Sequence, residues 1–260
     1  MRGKAFGDKP VVNPLRGLRG IAGGGIVIPA LYMKPFVTLG ETRTPDGGRL
    51  ILHEHDGDTF LKLNGRQLAS SAATTSEIRL AEIACDIRPA ILHPRVLIGG
   101  LGLGFTLRRV LEIVGGKSVV HVAECIPDVV TWNRKLLGPK NKAMFGDHRV
   151  TIITGDVFQV IAKSKREADR YDSIILDVDN GAAAMVANGN NRLYSRRGID
   201  SLARALNPGG RAAIWSADED LPFFDRLKRS GLHVTVFEVK SHERARRAAH
   251  RIYLAENRVE

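Results

Sequence analysis

Val96-Leu97-Ile98-Gly99-Gly100-Leu101-Gly102-Leu103-Gly104 is the stretch that decides the fold. Three consecutive apolar residues running into glycine read as a buried strand that ends in a tight turn. Leu107, Val110, Leu111 and Val114 then recur at helical spacing, so a helix starts near Gly104. Glycines let a backbone pass close beneath a ligand, and the N-terminus of the following helix favours polar or negative atoms. The dinucleotide fingerprint spaces its glycines G-x-G-x-x-G, and Phe105 stands where its last glycine would be. The G-x-G-x-G spacing of Gly100, Gly102 and Gly104 instead suits a methionine-derived nucleoside.

Strand and helix alternate downstream. Val119 to Ala123 reads as a second strand, and Pro127 suits the first turn of the helix after it. Val150 to Ile153 and Ser173 to Leu176 are the third and fourth strands. The fifth, Arg211 to Trp215, follows the Pro208-Gly209-Gly210 turn. His233 to Val239 and Arg251 to Leu254 have no helix between them and predict an antiparallel hairpin at one edge. Such units imply a parallel sheet covered on both faces. The fold class expected is α/β, a Rossmann-like sheet of the class I methyltransferase type with a terminal antiparallel hairpin.

Upstream, Thr75-Ser76-Glu77 reads as the capped start of a helix running to about Ile87 and stopped by Pro89. Leu50 to Leu52, Thr59 to Leu63 and Gln67 to Ala69 are short strand-like runs. Asp46-Gly47-Gly48, Asp56-Gly57-Asp58 and Asn64-Gly65 punctuate them as hairpin turns. The expected organisation is a small antiparallel β domain at 33–74 and a nucleoside-binding domain at 75–260. Residues 1–32, rich in glycine and basic residues without a sustained period, are expected to be a disordered or non-native extension, with Met33 as the natural start.

Three acids fall at successive strand ends. Glu124 closes the second strand, where a carboxylate accepts both ribose hydroxyls. Asp156, with Val157 beside it, closes the third and suits an adenine amino group, and Asp177 closes the fourth. Open α/β sheets bind ligands at these carboxyl ends, near the point where strand order reverses. One such acid reads equally well as a helix cap. Three beside a glycine loop read as a site.

Composition narrows the function classes. The formal net charge of +11 raises the prior for polyanionic partners, but much of the excess is local, in clusters at Arg2 to Arg19 and Lys240 to Arg251. A single aromatic residue, Phe6, stands within the N-terminal cluster, too few for a stacking surface, so a nucleic-acid partner is not expected. No run is long enough to span a membrane, and the two cysteines, Cys85 and Cys125, suit core packing in a reducing cytoplasm. His53 and His55 share one side of a strand without a third ligand, so no metal is expected. His121, Trp132 and Trp215 read as packing residues.

From about residue 47 to 255 the chain resembles spermidine synthase and its bacterial relatives of unassigned substrate. The stretches that carry the resemblance are Gly65-Arg66-Gln67-Leu68, Val96 to Arg108, Ala123 to Pro127, Gly155-Asp156, Tyr171 to Gly181, Leu193-Tyr194-Ser195 and Leu206 to Gly210. The resemblance implies a homodimeric transferase that moves an aminopropyl group from decarboxylated S-adenosyl-methionine to a small-molecule amine. It places Glu124 at the ribose, Asp156 at the adenine and Asp177 as the catalytic acid at the reacting amine. Gln67, Asp179, Asn180 and Tyr194 would face the acceptor, the last three on a lid over 179–195.

Several family positions differ here. The aspartate of the family's glycine loop aligns with Leu103, its Tyr-His-Glu with Leu80-Ala81-Glu82, and its second gate aspartate with Asn180. Two other functions therefore stand beside the first. One is methyl transfer from S-adenosyl-methionine to a small molecule, since a leucine at 103 does not repel the carboxylate of a full methionine tail. The other is a non-catalytic protein that binds an adenosine ligand.

Overall fold

The computed structural model describes residues 35–164, 166–178, 191–240, 248 and 250–258. These residues fall within one compact unit, 34–260. The expected extension at 1–32 lies outside them.

Four strands come first: β1 (Val37–Arg43), β2 (Arg49–His55), β3 (Asp58–Leu63) and β4 (Arg66–Ser70), paired antiparallel in chain order. Asp56 (φ 54°) with Gly57 (φ 85°), and Asn64 (φ 49°) with Gly65 (φ 82°), are the two-residue turns, both positive in φ as a type I′ hairpin requires. Leu50 and Leu52 on β2 and Leu61 and Leu63 on β3 alternate inward and are buried. Strand β1 was not among the expected strands. Gly40 interrupts its apolar pattern, and a bulge falls between Thr38 and Gly40. A side chain at Gly40 would begin 2.5 Å from Trp132 Nε1, so the glycine makes room for the indole.

Helix α1 (Thr75–Cys85) follows. The expected side-chain cap does not form: Thr74 precedes the helix without a cap bond, and the Ser76 hydroxyl donates to the Glu77 carboxylate instead. Then come β5 (Arg95–Gly99), α2 (Phe105–Ile113), β6 (Val119–Glu124), α3 (Pro127–Lys135), α4 (Gly138–Met144), β7 (Val150–Thr154), α5 (Val157–Lys163) and β8 (Tyr171–Leu176). The chain ends with α6 (Arg196–Ala205), β9 (Leu206–Ser216), α7 (Leu221–Lys228), β10 (His233–Val239) and β11 (His250–Glu256).

The second sheet has the order β10-β11-β9-β8-β5-β6-β7. Its five strands from β5 to β9 are parallel, while β11 runs antiparallel to both neighbours. The hairpin expected at the edge is present. Its last strand enters the sheet between β9 and β10, because Ile252 to Ala255 is apolar on both faces and buried. Along β5, Leu97 packs into one core and Val96 and Ile98 into the other. Helices α1, α2 and α3 cover one face, and α5, α6 and α7 the other. Strand order reverses between β5 and β8, which sets the ligand crevice above their carboxyl ends. None of the described helices is long and apolar enough to cross a membrane.

Candidate active site

A cavity of about 600 Å³ opens at those carboxyl ends. The loop after β5 forms one wall, Glu124 and Ile126 after β6 another, and Asp156 and Val157 after β7 a third. Asp177 stands at the end of β8. Gln67 and Leu68 of β4, Glu77 of α1, Trp215 of β9 and His250 of β11 close the far side.

The three glycines do different work. Gly100 (φ 89°) sits where β5 and β8 meet: a Cβ there would lie 2.2 Å from the Asp177 carbonyl oxygen. Gly102 (φ 50°) lines the cavity with nothing within 4 Å of its missing side chain. Gly104 (φ 83°) does not line the cavity. It stands behind the loop, where a side chain would meet Met144, Asn133 and Asn141 at 2.8–3.0 Å.

Those two asparagines hold the loop from behind. Asn133 Nδ2 donates to the carbonyls of Gly102 (2.9 Å) and Val129 (2.9 Å). Asn141 Nδ2 donates to the Leu103 carbonyl (2.8 Å) and to Asn133 Oδ1 (2.7 Å), and Arg108 donates to Asn141 Oδ1 (2.6 Å). Both amides are buried and fully satisfied, which makes the network a rigid support. No local sequence pattern marks them, because their partners lie up to 38 residues away.

Glu124 is 6% exposed, and burial pushes its carboxyl up. One oxygen accepts from the Leu101 N–H (2.9 Å) and the other from the Ile126 N–H (2.8 Å), which fixes its orientation at the cavity edge. Asp156 accepts from the Phe158 N–H (2.8 Å) as the cap of α5, and from Arg192 (3.0 Å). Asp177 accepts from the Thr106 hydroxyl (3.0 Å), and burial pushes it up to about 6. Glu77 is pushed up to about 7, first by burial and then by the charge of Asp177.

The cavity thus brings together Gly100, Gly102, Glu124, Asp156, Val157, Asp177 and Gln67 of the expected site. Asp179 and Asn180 lie outside the described residues. Tyr194 is not on the cavity wall: it is 3% exposed and packs edge-on against Phe223, while Arg192 reaches the cavity from the same segment. On α1, Leu80 and Ala81 are core residues, and Glu82 pairs with Arg79 and Arg109. The acid of α1 that does reach the cavity is Glu77, which the sequence presented as part of a cap. Trp132 packs in the core as expected, whereas Trp215 lines the cavity beside His250 with ring centroids 4.9 Å apart. Among the described residues no three His, Cys, Asp or Glu side chains are grouped as metal ligands.

The family model described as the spermine/spermidine synthase domain matches residues 88–227. The chain belongs to the spermine/spermidine synthase family. A polyamine aminopropyltransferase of Pyrobaculum calidifontis is 32% identical over 128 residues, covering 48% of this chain and 43% of the relative. A putrescine N-methyltransferase of Nicotiana tabacum is 32% identical over 118 residues, covering 45% of this chain and 30% of the relative. The chain spans less than half the length of such curated relatives. Among solved structures, a spermidine synthase in complex with the transition-state analogue AdoDATO superposes with a TM-score of 0.67 at 20% identity. The match covers 86% of this chain and 74% of that one. The spermidine synthase of Thermotoga maritima gives a TM-score of 0.65 at the same identity and coverage. The two structures share the fold of this family member.

Proposed function

We propose that the protein binds decarboxylated S-adenosyl-methionine or S-adenosyl-methionine and alkylates an amine, with aminopropyl transfer to a polyamine as the reaction. The observation that carries this reading is one cavity lined by a glycine loop and by two strand-end acids in different settings. Glu124 is held by two backbone N–H donors beside the glycine loop, and Asp177 has a hydroxyl as its hydrogen-bond donor.

Glu124 keeps free lone pairs after its two backbone bonds and presents them to ribose hydroxyls. Gly102 leaves room for the backbone to approach the nucleoside, and Asp156 presents its carboxylate to the adenine amino group. A sulfonium-bearing donor supplies an activated carbon, so the chain's task is alignment and proton removal. An amine attacks only through a free lone pair, and Asp177, held by Thr106, takes its proton. We also assign the protein to the cytoplasm, in keeping with the free thiols of Cys85 and Cys125, and to a homodimer, the assembly the resemblance implies.

One observation favours methyl transfer as a second reading. Leu103 lines the cavity at the position where the resemblance places an acid, and an apolar residue there does not repel a methionine carboxylate. Calorimetric affinities for S-adenosyl-methionine, its decarboxylated form and methylthioadenosine, measured side by side, decide between the two. Preference for the decarboxylated form is the expected result. Preference for the parent overturns aminopropyl transfer in favour of methylation.

A further inference from the structure

The cavity contains a second acid with no part in the reaction as described so far. Glu77, in the first turn of α1, lines the same cavity as Asp177. The Ser76 hydroxyl donates to Glu77 at 2.6 Å, and the Thr106 hydroxyl to Asp177 at 3.0 Å. Each carboxylate is therefore held by a neutral donor. Among the described residues, neither acid has a cation for a partner. Leu50, Leu61, Leu68 and Leu103 give the same cavity much apolar wall. Two acids in such a wall repel each other and are poorly hydrated, and a ligand cation relieves both penalties at once. Arg192, a cation on the same cavity wall, pairs with Asp156, so a cationic ligand would bring Glu77 and Asp177 the counter-charge that no described partner gives them.

We propose that Glu77 is a specificity-determining residue of the acceptor subsite: with Asp177 it brackets one ammonium group of the acceptor, so that the site takes protonated amines and rejects alcohols of the same shape. This assignment rests on the reading of the cavity as an amine-alkylation site. It gives the two acids separate tasks. The arriving ammonium hands one proton to Asp177, which frees the lone pair. As the new C–N bond forms, the C–S bond breaks and its electron pair stays on sulfur. The nitrogen becomes positive again, and its charge favours the ionised form of Glu77, which faces it. The proton on Asp177 then leaves to water. A position in the first turn of α1 favours an ionised Glu77 in this role. The upward displacement of both carboxyls is what two acids without a counter-ion should show.

The test is calorimetric titration of the methylthioadenosine-loaded full chain with 1,4-diaminobutane, butylamine and 1-butanol. Wild type is expected to bind both amines and not the alcohol. Glu77→Gln should weaken both amines at least tenfold, and Glu77→Asp should restore part of the loss. Both variants should keep methylthioadenosine affinity within about twofold, a split that a purely structural role for Glu77 would not produce. If Glu77→Gln loses methylthioadenosine as well, Glu77→Ala carries the comparison, with the same tenfold loss of amine expected. Wild-type amine affinity in these variants overturns the role of Glu77 and leaves amine alkylation standing. A wild type that takes methylthioadenosine but no amine, or takes butanol equally well, overturns both.

Discussion

Replacing Asp177 with asparagine should make the protein more stable while removing its activity. Burial raises this carboxyl from 3.8 to about 6, so the folded chain bears the cost of an ionised, poorly hydrated group at neutral pH. A tenfold change in proton affinity is about 1.4 kcal/mol, which sets a ceiling of about 3 kcal/mol on that cost. Water entering the open cavity reduces it to about 1–2 kcal/mol. Asparagine keeps an oxygen for the Thr106 hydroxyl, so that hydrogen bond survives. The expected gain in Tm is about 2–8 °C for a chain of this size. The sign with pH follows from the direction of the displacement. A carboxyl raised on folding contributes stability that is complete below its unfolded value and lost as pH rises through about 6. Wild type and Asp177→Asn should therefore nearly coincide at about pH 3, below the unfolded value, and diverge fully by about pH 8. Urea unfolding at both pH values measures the gap. Aminopropyl transfer to 1,4-diaminobutane measures turnover, which should vanish while methylthioadenosine affinity stays nearly intact. A variant no more stable than wild type at pH 8, or a gap independent of pH, would refute the electrostatic argument. Equal losses of binding and turnover would refute the catalytic role.

Gly100→Ala should abolish nucleoside binding. Its Cβ would lie 2.2 Å from the Asp177 carbonyl oxygen, and its φ of 89° is strained for alanine, together about 2–5 kcal/mol, readable by urea unfolding and calorimetry. Glu124→Gln places an NH₂ against one of two backbone N–H donors at a cost of about 1–3 kcal/mol, so methylthioadenosine affinity should fall at least tenfold. Arg149→Ala tests stability apart from the site. The guanidinium, 12% exposed, donates to the carbonyls of Leu111 and Val114 and to Asp147. Its loss should lower unfolding free energy by about 2–3 kcal/mol without changing nucleoside affinity.

The sequence made the glycine loop and the strand-end acids visible because each depends on neighbours only a few residues away. Strand β8 was legible for a similar reason: all of Tyr171 to Leu176 is buried, and Ile174-Ile175-Leu176 is an unbroken apolar run leading into Asp177. Strand β1 escaped notice because Gly40 answers to Trp132, a residue 92 positions later, and not to its own strand. The insertion of β11 between β9 and β10 is a choice between two edges, and an apolar run does not name its neighbours. Glu77 was misjudged because an acid in a first helical turn satisfies a local rule equally well whether it caps or faces a ligand. Tyr194 shows the reverse effect: a motif indicates that a residue matters without saying where it points, and its ring packs edge-on against Phe223.

Helix α3 binds two parts of the molecule that share no reacting atom. Its Trp132 fills the gap left by Gly40 in β1, and Asp128 accepts from the Thr42 hydroxyl on the same strand. One residue after Trp132, Asn133 grips the Gly102 carbonyl of the nucleoside loop. The four-stranded sheet, which lines part of the cavity itself, is thus also geared to the cavity floor through α3. Grafting that sheet from a relative, with a β-branched residue in place of Gly40, would turn α3 and disturb nucleoside affinity from a distance. Variation in the sheet is free only where it leaves this one indole seated.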